Sequence, residues 1–299
     1  MDQLQAIRVF ARVVETGSFT RAADSLQMPK ATVTKLVQGL ESHLHARLLQ
    51  RTTRRVTVTP EGAAYYEHTA RLLGELDDID AGLTRAQTRP RGRLRVDIGS
   101  SLASVLLVPA LPDFHARYPD IQLSLGVSDR RVDLIGESVD CVIRGGALND
   151  QSLVARRLAR LAWVTCATPA YLERFGTPDD PRQLQEDHRL INYFSARSGR
   201  VLPMHFSRGD DHFELDGPAV LSVNESNAHL AAILAGLGVG QTFRFLAAPH
   251  IASGALVPIL QDWQHAPHEV HLLYPPNRHL SARLRAFIDW AVALFGRLD

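Results

Sequence analysis

Residues 18 to 41 read SFTRAADSLQMPKATVTKLVQGLE, and this stretch spells two short helices joined by a tight turn. Ser18 is placed to cap the first helix, and Ala22, Ala23 and Leu26 give it a small apolar face that a neighbouring helix can approach closely. Pro29 stands at a helix start, and the second helix, residues 30 to 41, turns Val33, Leu36, Val37 and Leu40 inward. Its opposite side offers Lys30, Ala31, Thr32, Thr34 and Lys35, a front of small residues, hydroxyls and two cations. Such a front fits a major groove about 12 Å wide, where bulkier side chains would be refused.

The flanks extend the same plan. Leu4, Ile7, Phe10, Ala11 and Val14 make one apolar stripe on a preceding helix that Gly17 ends. Downstream, residues 44 to 49 and then 51 to 59 alternate apolar and polar side chains, which predicts a two-stranded wing with Arg51, Arg54 and Arg55 along a phosphate backbone. A solvated basic hairpin without a partner is the bland alternative. The first sixty residues hold nine basic and four acidic side chains, a net +5. The rest holds 24 basic and 28 acidic, a net −4, and both lysines of the chain lie in the single stretch from Lys30 to Lys35. A basic head on an acidic body suits polyanion binding by one end, because cations meeting phosphates release condensed counterions.

Residues 60 to 89 read as one long helix in which Tyr65, Thr69, Leu72, Leu76, Ile79 and Leu83 recur at alternating intervals of four and three. That spacing is a coiled-coil seam and predicts a dimer, with Arg89-Pro90-Arg91-Gly92 as the hinge that follows. Beyond the hinge the pattern alternates strand and helix: strands at 94–99, 121–125 and 141–144, helices at 102–118 and 129–137, then strands near 163–167, 190–194 and 219–223 with a helix at 226–237. The chain then returns through 271–274 and a final helix at 281–295. This order predicts two α/β lobes built on largely parallel sheets, with a cleft between them.

The chain of 299 residues, 45% apolar and 22% charged, is long enough for about two globular domains. Its opening residues fit neither an export signal nor a membrane span, which points to the cytoplasm and away from a membrane. Cys141 and Cys166 are expected as buried thiols, since two cysteines make no disulfide framework.

With these residues in view, the sequence resembles the LysR-type transcriptional regulators over its whole length. The likeness is carried by Thr16-Gly17-Ser18-Phe19-Thr20-Arg21-Ala22-Ala23, by Leu40-Glu41 and Thr59-Pro60-Glu61-Gly62, and in the body by Tyr118-Pro119-Asp120, Asp129-Arg130-Arg131-Val132-Asp133-Leu134 and Asp140-Cys141-Val142-Ile143-Arg144. The resemblance implies a winged helix-turn-helix over residues 1–59, a linker and dimerisation helix over 60–90, and over 91–299 an effector domain similar to type-II periplasmic binding proteins. Lobe I of that domain would take 91–162 and 268–299, and lobe II 163–267. The fold class expected is thus multidomain α+β and α/β.

The same resemblance makes Thr20 and the segment from Pro29 to Lys35 the base-facing element and implies a homodimer or homotetramer on promoter DNA. It further implies no catalytic residue, contact with RNA polymerase if the chain activates, and a small effector between the lobes. Exposed N–H groups at the helix starts after Ser100 and after Asn224 suggest an anionic or polar aromatic effector. Ser100 and Ser101 would act as hydroxyl donors, Arg144 as a carboxylate partner, and Phe194, Asn224 and Ser226 would line the other lobe. Four positions depart from the family pattern: Pro29 and Lys30 where Ser or Thr and then Gln are usual, His45 where Gly is common, and Leu49 where Phe is common.

Other signals are weaker. Gly236-Leu237-Gly238-Val239-Gly240 follows a helix rather than a strand and lacks the last glycine of a dinucleotide fingerprint. His265, His268 and His271 lie in an extended segment where they would not converge on a metal, so neither metal nor cofactor is expected. An enzyme reading leaves the basic head and the seam unexplained, and a transport receptor would carry no DNA reader.

Overall fold

The computed structural model describes residues 2–51, 56–83, 89–130, 139–146, 153–196, 198–276 and 280–298. These fall into two compact units, residues 1–88 and 89–299. The first opens with α1 (Gln3–Thr16), capped by the Asp2 carboxylate and closed by Gly17 in the left-handed conformation. Next come α2 (Phe19–Ser25), whose first turn donates the Arg21 N–H to Ser18 Oγ, and α3 (Lys30–Leu44). Ala6, Val9, Phe10 and Val13 of α1, Ala22 and Ala23 of α2, and Val33, Val37 and Leu40 of α3 close one core.

The wing departs from the sequence reading. Residue 44 still belongs to α3, because that helix continues to its left-handed end at His45, and the strands are the shorter β1 (Leu49–Arg51) and β2 (Val56–Val58). They pair antiparallel, Leu49 opposite Val58. Helix α4 (Pro60–Leu83) follows at once. Thr59 joins the pieces: its Oγ1 donates to the Arg47 carbonyl at 2.7 Å and accepts the Gly62 N–H at 2.9 Å. At Gly62 a Cβ would stand 2.0 Å from the Leu48 carbonyl oxygen, so only glycine lets the helix start so close to the wing.

The second unit begins with β3 (Gly92–Ile98) and a continuous helix made of α5 (Ser100–Leu102), a π-helical turn (Ala103–Leu107) and α6 (Val108–Arg117). The widened turn answers the prolines: Pro109 has no N–H to donate and its ring crowds the carbonyl four residues back, and here the Val108 N–H reaches instead to the Ala103 carbonyl. Then come β4 (Ile121–Val127), β5 (Cys141–Gly145) and β6 (Val154–Leu161). The helix expected at 129–137 lies, beyond Arg130, outside the described residues.

The chain next builds β7 (Trp163–Ala167), α7 (Pro169–Phe175), α8 (Pro181–Glu186), β8 (Leu190–Phe194), β9 (Val201–Leu202), β10 (Met204–Arg208), β11 (Asp211–Leu215) and β12 (Ala219–Val223). It continues with α9 (Ser226–Leu234), β13 (Gly240–Phe243), α10 (Arg244–Ala252), β14 (Val257–Ile259), β15 (His268–Tyr274) and α11 (Ala282–Phe295). The five-stranded sheet runs β4-β3-β5-β15-β6. Its first three strands are parallel, but β15 and β6 run antiparallel to their neighbours, a correction to the largely parallel sheet expected. The reason lies in the path: β6 leaves for the second lobe and β15 returns from it, and Leu161 and His268 sit opposite each other. In lobe II, β12 and β8 are parallel, whereas β13-β7-β14 is wholly antiparallel.

Leu94, Val96 and Ile98 face a core shared with Phe114, Phe287 and Trp290. Trp290 packs 4.9 Å from Phe114 and donates its indole N–H to Asp113 at 2.9 Å. Cys141 and Cys166 are fully buried, which pushes both thiols up, Cys166 to about 12. Among the described residues no helix is long and apolar enough to cross a membrane.

Candidate nucleic-acid interface and interlobe cleft

In the first unit Lys30, Ala31 and Lys35 are exposed on α3, Thr32 and Thr34 are half-buried beside them, and Thr20 and Pro29 are exposed at the edge. Ala31, Lys35 and the exposed Gln38 follow at helical intervals, so the front is one continuous face opposite Val33, Val37 and Leu40. Pro29 occupies the cap position without a side-chain hydrogen bond to the helix start, where the family's usual Ser or Thr would supply one. Gln27, in the turn, and His45, at the end of α3, are both left-handed, at φ 51° and 49°. The glycine common at the latter position is explained by that conformation. Leu49, where Phe is common, fills the core at 3% exposure.

Glu41 carries a role that periodicity does not reveal. Its Oε1 accepts the Leu48 N–H at 2.9 Å and the Leu49 N–H at 3.0 Å, tying the end of α3 to the first wing strand. Arg51 lies in β1, with its side chain outside the described residues, as are Arg54 and Arg55 altogether.

The seam on α4 requires a correction. The Tyr65 ring packs, tilted, 5.9 Å from Phe10 of α1, and Thr69 is 5% exposed with its hydroxyl donated to the Tyr65 carbonyl at 2.7 Å. Both belong to their own unit's core, because α4 must cover α1 before it can reach a partner. Leu72, at 56% exposure, and the half-buried Leu76 continue the stripe beyond that contact; the Ile79 and Leu83 side chains lie outside the described residues.

In the second unit the strand ends of the two lobes meet around one side chain, Asp129. Its Oδ1 accepts the Ser100 N–H of lobe I at 2.7 Å, and its Oδ2 accepts the Ser226 N–H of lobe II at 2.7 Å. The Tyr193 hydroxyl lies 3.2 Å from Oδ2 and 3.1 Å from the Asn224 carbonyl. Burial, and secondly the Asp129 charge, raise the pKa of that phenol and keep it protonated. Ser226 Oγ accepts the Ser101 N–H at 3.2 Å, and Ser104 donates to Asn227 Oδ1 at 3.3 Å. Glu225 completes the start of α9 by accepting the Asn227 and Ala228 N–H groups at 3.0 and 2.7 Å.

Several expectations change here. Ser100 and Ser101, both buried at the first turn of the helix, give their backbone N–H groups to Asp129 and to Ser226 Oγ. Tyr193 turns toward Asp129, so strand alternation sends Phe194 to the opposite face of β8. Asn224 contributes its carbonyl. Arg144 already has a carboxylate partner in Asp97 on the adjacent strand and also donates to the Arg130 carbonyl at 3.3 Å, while its Nε is buried without a partner. Burial lowers the Arg144 pKa, and the Asp97 charge opposes that. Gly126 makes the pair possible, because a Cβ there would stand 2.3 Å from Asp97 Oδ2.

Two motifs set aside on sequence have structural roles. At Gly238 a Cβ would lie 2.2 Å from the Arg189 carbonyl oxygen, and at Gly240 2.5 Å from Ile233 Cδ1, so the glycine run serves close packing. His265 and His268 pack on Trp163 at 4.8 and 5.6 Å, whereas His271 lies 3.7 Å from Glu269.

Two family models match the chain: a bacterial regulatory helix-turn-helix protein of the lysR family over residues 4–63, and a LysR substrate binding domain over residues 87–296. The sequence is 41% identical over 295 residues to an HTH-type transcriptional repressor of Pseudomonas aeruginosa, covering 99% of this chain and 93% of that protein. It is 40% identical to the regulator YhjC of Escherichia coli, covering 97% of each. Among solved structures, CrgA, a LysR-type transcriptional regulator from Neisseria meningitidis, matches 98% of each chain with a TM-score of 0.64 and 31% identity. The full-length virulence activator AphB of Vibrio cholerae matches 97% of this chain and 98% of its own with a TM-score of 0.62 and 27% identity.

Proposed function

Because the chain belongs to the LysR family of DNA-binding transcriptional regulators, carries that family's substrate-binding domain and is no enzyme, we propose that α3 reads promoter DNA from the major groove under the control of a small molecule held between the two lobes. The observation that carries the reading is the front of α3: Lys30, Ala31 and Lys35 stand exposed on a helix whose back is locked into a three-helix core. A rigid helix with a low polar front can approach base edges, and Lys35 offers its ammonium to guanine or phosphate. Arg51, Arg54 and Arg55 of the wing supply the phosphate contacts.

Two such heads form a homodimer through the part of α4 beyond Thr69, and effector domains pair further into a tetramer. Half-sites then lie whole turns of about 10 base pairs apart. The protein works in the cytoplasm and, as an activator, contacts RNA polymerase. The effector must bind one arrangement of the assembly better than another, since equal affinity shifts nothing. The test is a titration against promoter DNA: Lys35→Ala lowers affinity about tenfold. Unchanged affinity removes α3 from the interface.

A further inference from the structure

Five backbone N–H groups that a small anion could use at the two helix starts already have an oxygen from the chain itself. Ser100 and Ser226 donate to Asp129, Ser101 donates to Ser226 Oγ, and Asn227 and Ala228 donate to Glu225. Four of these five donors therefore face carboxylates. The one guanidinium in this network, Arg144, is paired with Asp97. Among the described side chains that make these bonds, three carboxylates, Asp97, Asp129 and Glu225, stand beside one guanidinium. A further anion would find these five donors taken and would stand beside three carboxylates, a cost that grows as the site loses water.

We propose that Asp129 is the residue that fixes the charge of the ligand: its carboxylate is the resident anion of the interlobe cleft, and the small molecule the cleft accepts carries no net negative charge. The inference rests on the interlobe cleft being the effector site, and of the two ligand types suggested by the sequence, anionic or polar aromatic, it keeps the polar aromatic one. It also explains why the contact bridges lobes. Asp129 holds one N–H from each, so a ligand entering between Ser101 and Ser226 works against a fixed hydrogen-bonded clasp rather than supplying the clasp itself.

Chemical rescue tests this on the full chain. Asp129→Ala leaves the donors of Ser100 and Ser226 facing a space the size of a carboxylate. Sodium acetate, compared with sodium chloride at equal ionic strength, is expected to raise the melting temperature of this variant by about 3 °C at tenfold saturation. The unaltered protein gains less than about 1 °C under the same conditions. Asp129→Asn, which keeps the shape, guards against misfolding: it folds, melts below the unaltered protein and ignores acetate, because its amide still fills the space. Acetate raising the unaltered protein and the alanine variant equally, or raising neither, overturns the proposal. Promoter binding by the same preparations is measured in parallel. If an inducer, once found, still acts when Ser226→Trp blocks the cleft, the effector reading fails while the acetate result stands by itself.

Discussion

Gly62 and Glu41 show how single side chains set the join between reader helix and wing. Adding a methyl group at Gly62 drives a Cβ into the backbone of residue 48, which has no flexible end to move aside. Gly62→Ala is expected to cost about 1–3 kcal/mol of stability, read as a lower urea midpoint of the isolated chain; an unchanged midpoint would show that the helix start can back away. Glu41 stabilises the same corner by charge-assisted acceptance of two N–H groups at residues 48 and 49, both of which lie in the core. His45 is a contrasting case, since it holds a left-handed angle that costs a non-glycine residue about 1 kcal/mol. His45→Gly therefore raises the urea midpoint, and a fall would mean that the imidazole makes a compensating contact.

At the scale of elements, α4 divides its duties along its length. Its first three turns cover α1 through Tyr65 and Thr69, and only from Leu72 onward is the apolar stripe free for a partner helix. Leu72→Glu with Leu76→Glu should therefore yield monomers in sedimentation velocity while the melting of the reader core is little changed, whereas a persisting dimer would move the interface elsewhere. The sequence exposed this helix because its spacing is regular, but spacing alone does not say which neighbour a stripe meets. Helices α1 to α3 were legible for a related reason: caps, glycine and proline mark each end, and the apolar spacing agrees. Strand β6 was not, because VARRLARL keeps only Leu158, Ala159 and Leu161 buried and gives no alternation. Asp129 was equally hidden, since its role depends on residues 29 and 97 positions away that meet only in the folded lobes.

For the whole molecule, the histidines of the effector domain set a dependence on acidity. Burial lowers the pKa of His229, His265 and His268 below the ordinary 6.5. His229 Nε2 lies 2.9 Å from the Ile191 carbonyl within the core. The folded chain therefore binds fewer protons at these sites than the unfolded one, and their contribution is complete above pH 6.5 and lost as pH falls from there toward the lowered values. Urea midpoints at pH 7.5 should exceed those at pH 5.5; equal midpoints would mean that the three sites titrate alike in both states. The pairing of Leu161 with His268 has a consequence of a different kind. The 106 residues between them depart from and re-enter the parent sheet at adjacent points. Lobe II is thus a loop insertion grown to the size of a domain, and a short reverse turn across that gap is all the remaining sheet needs to stay closed.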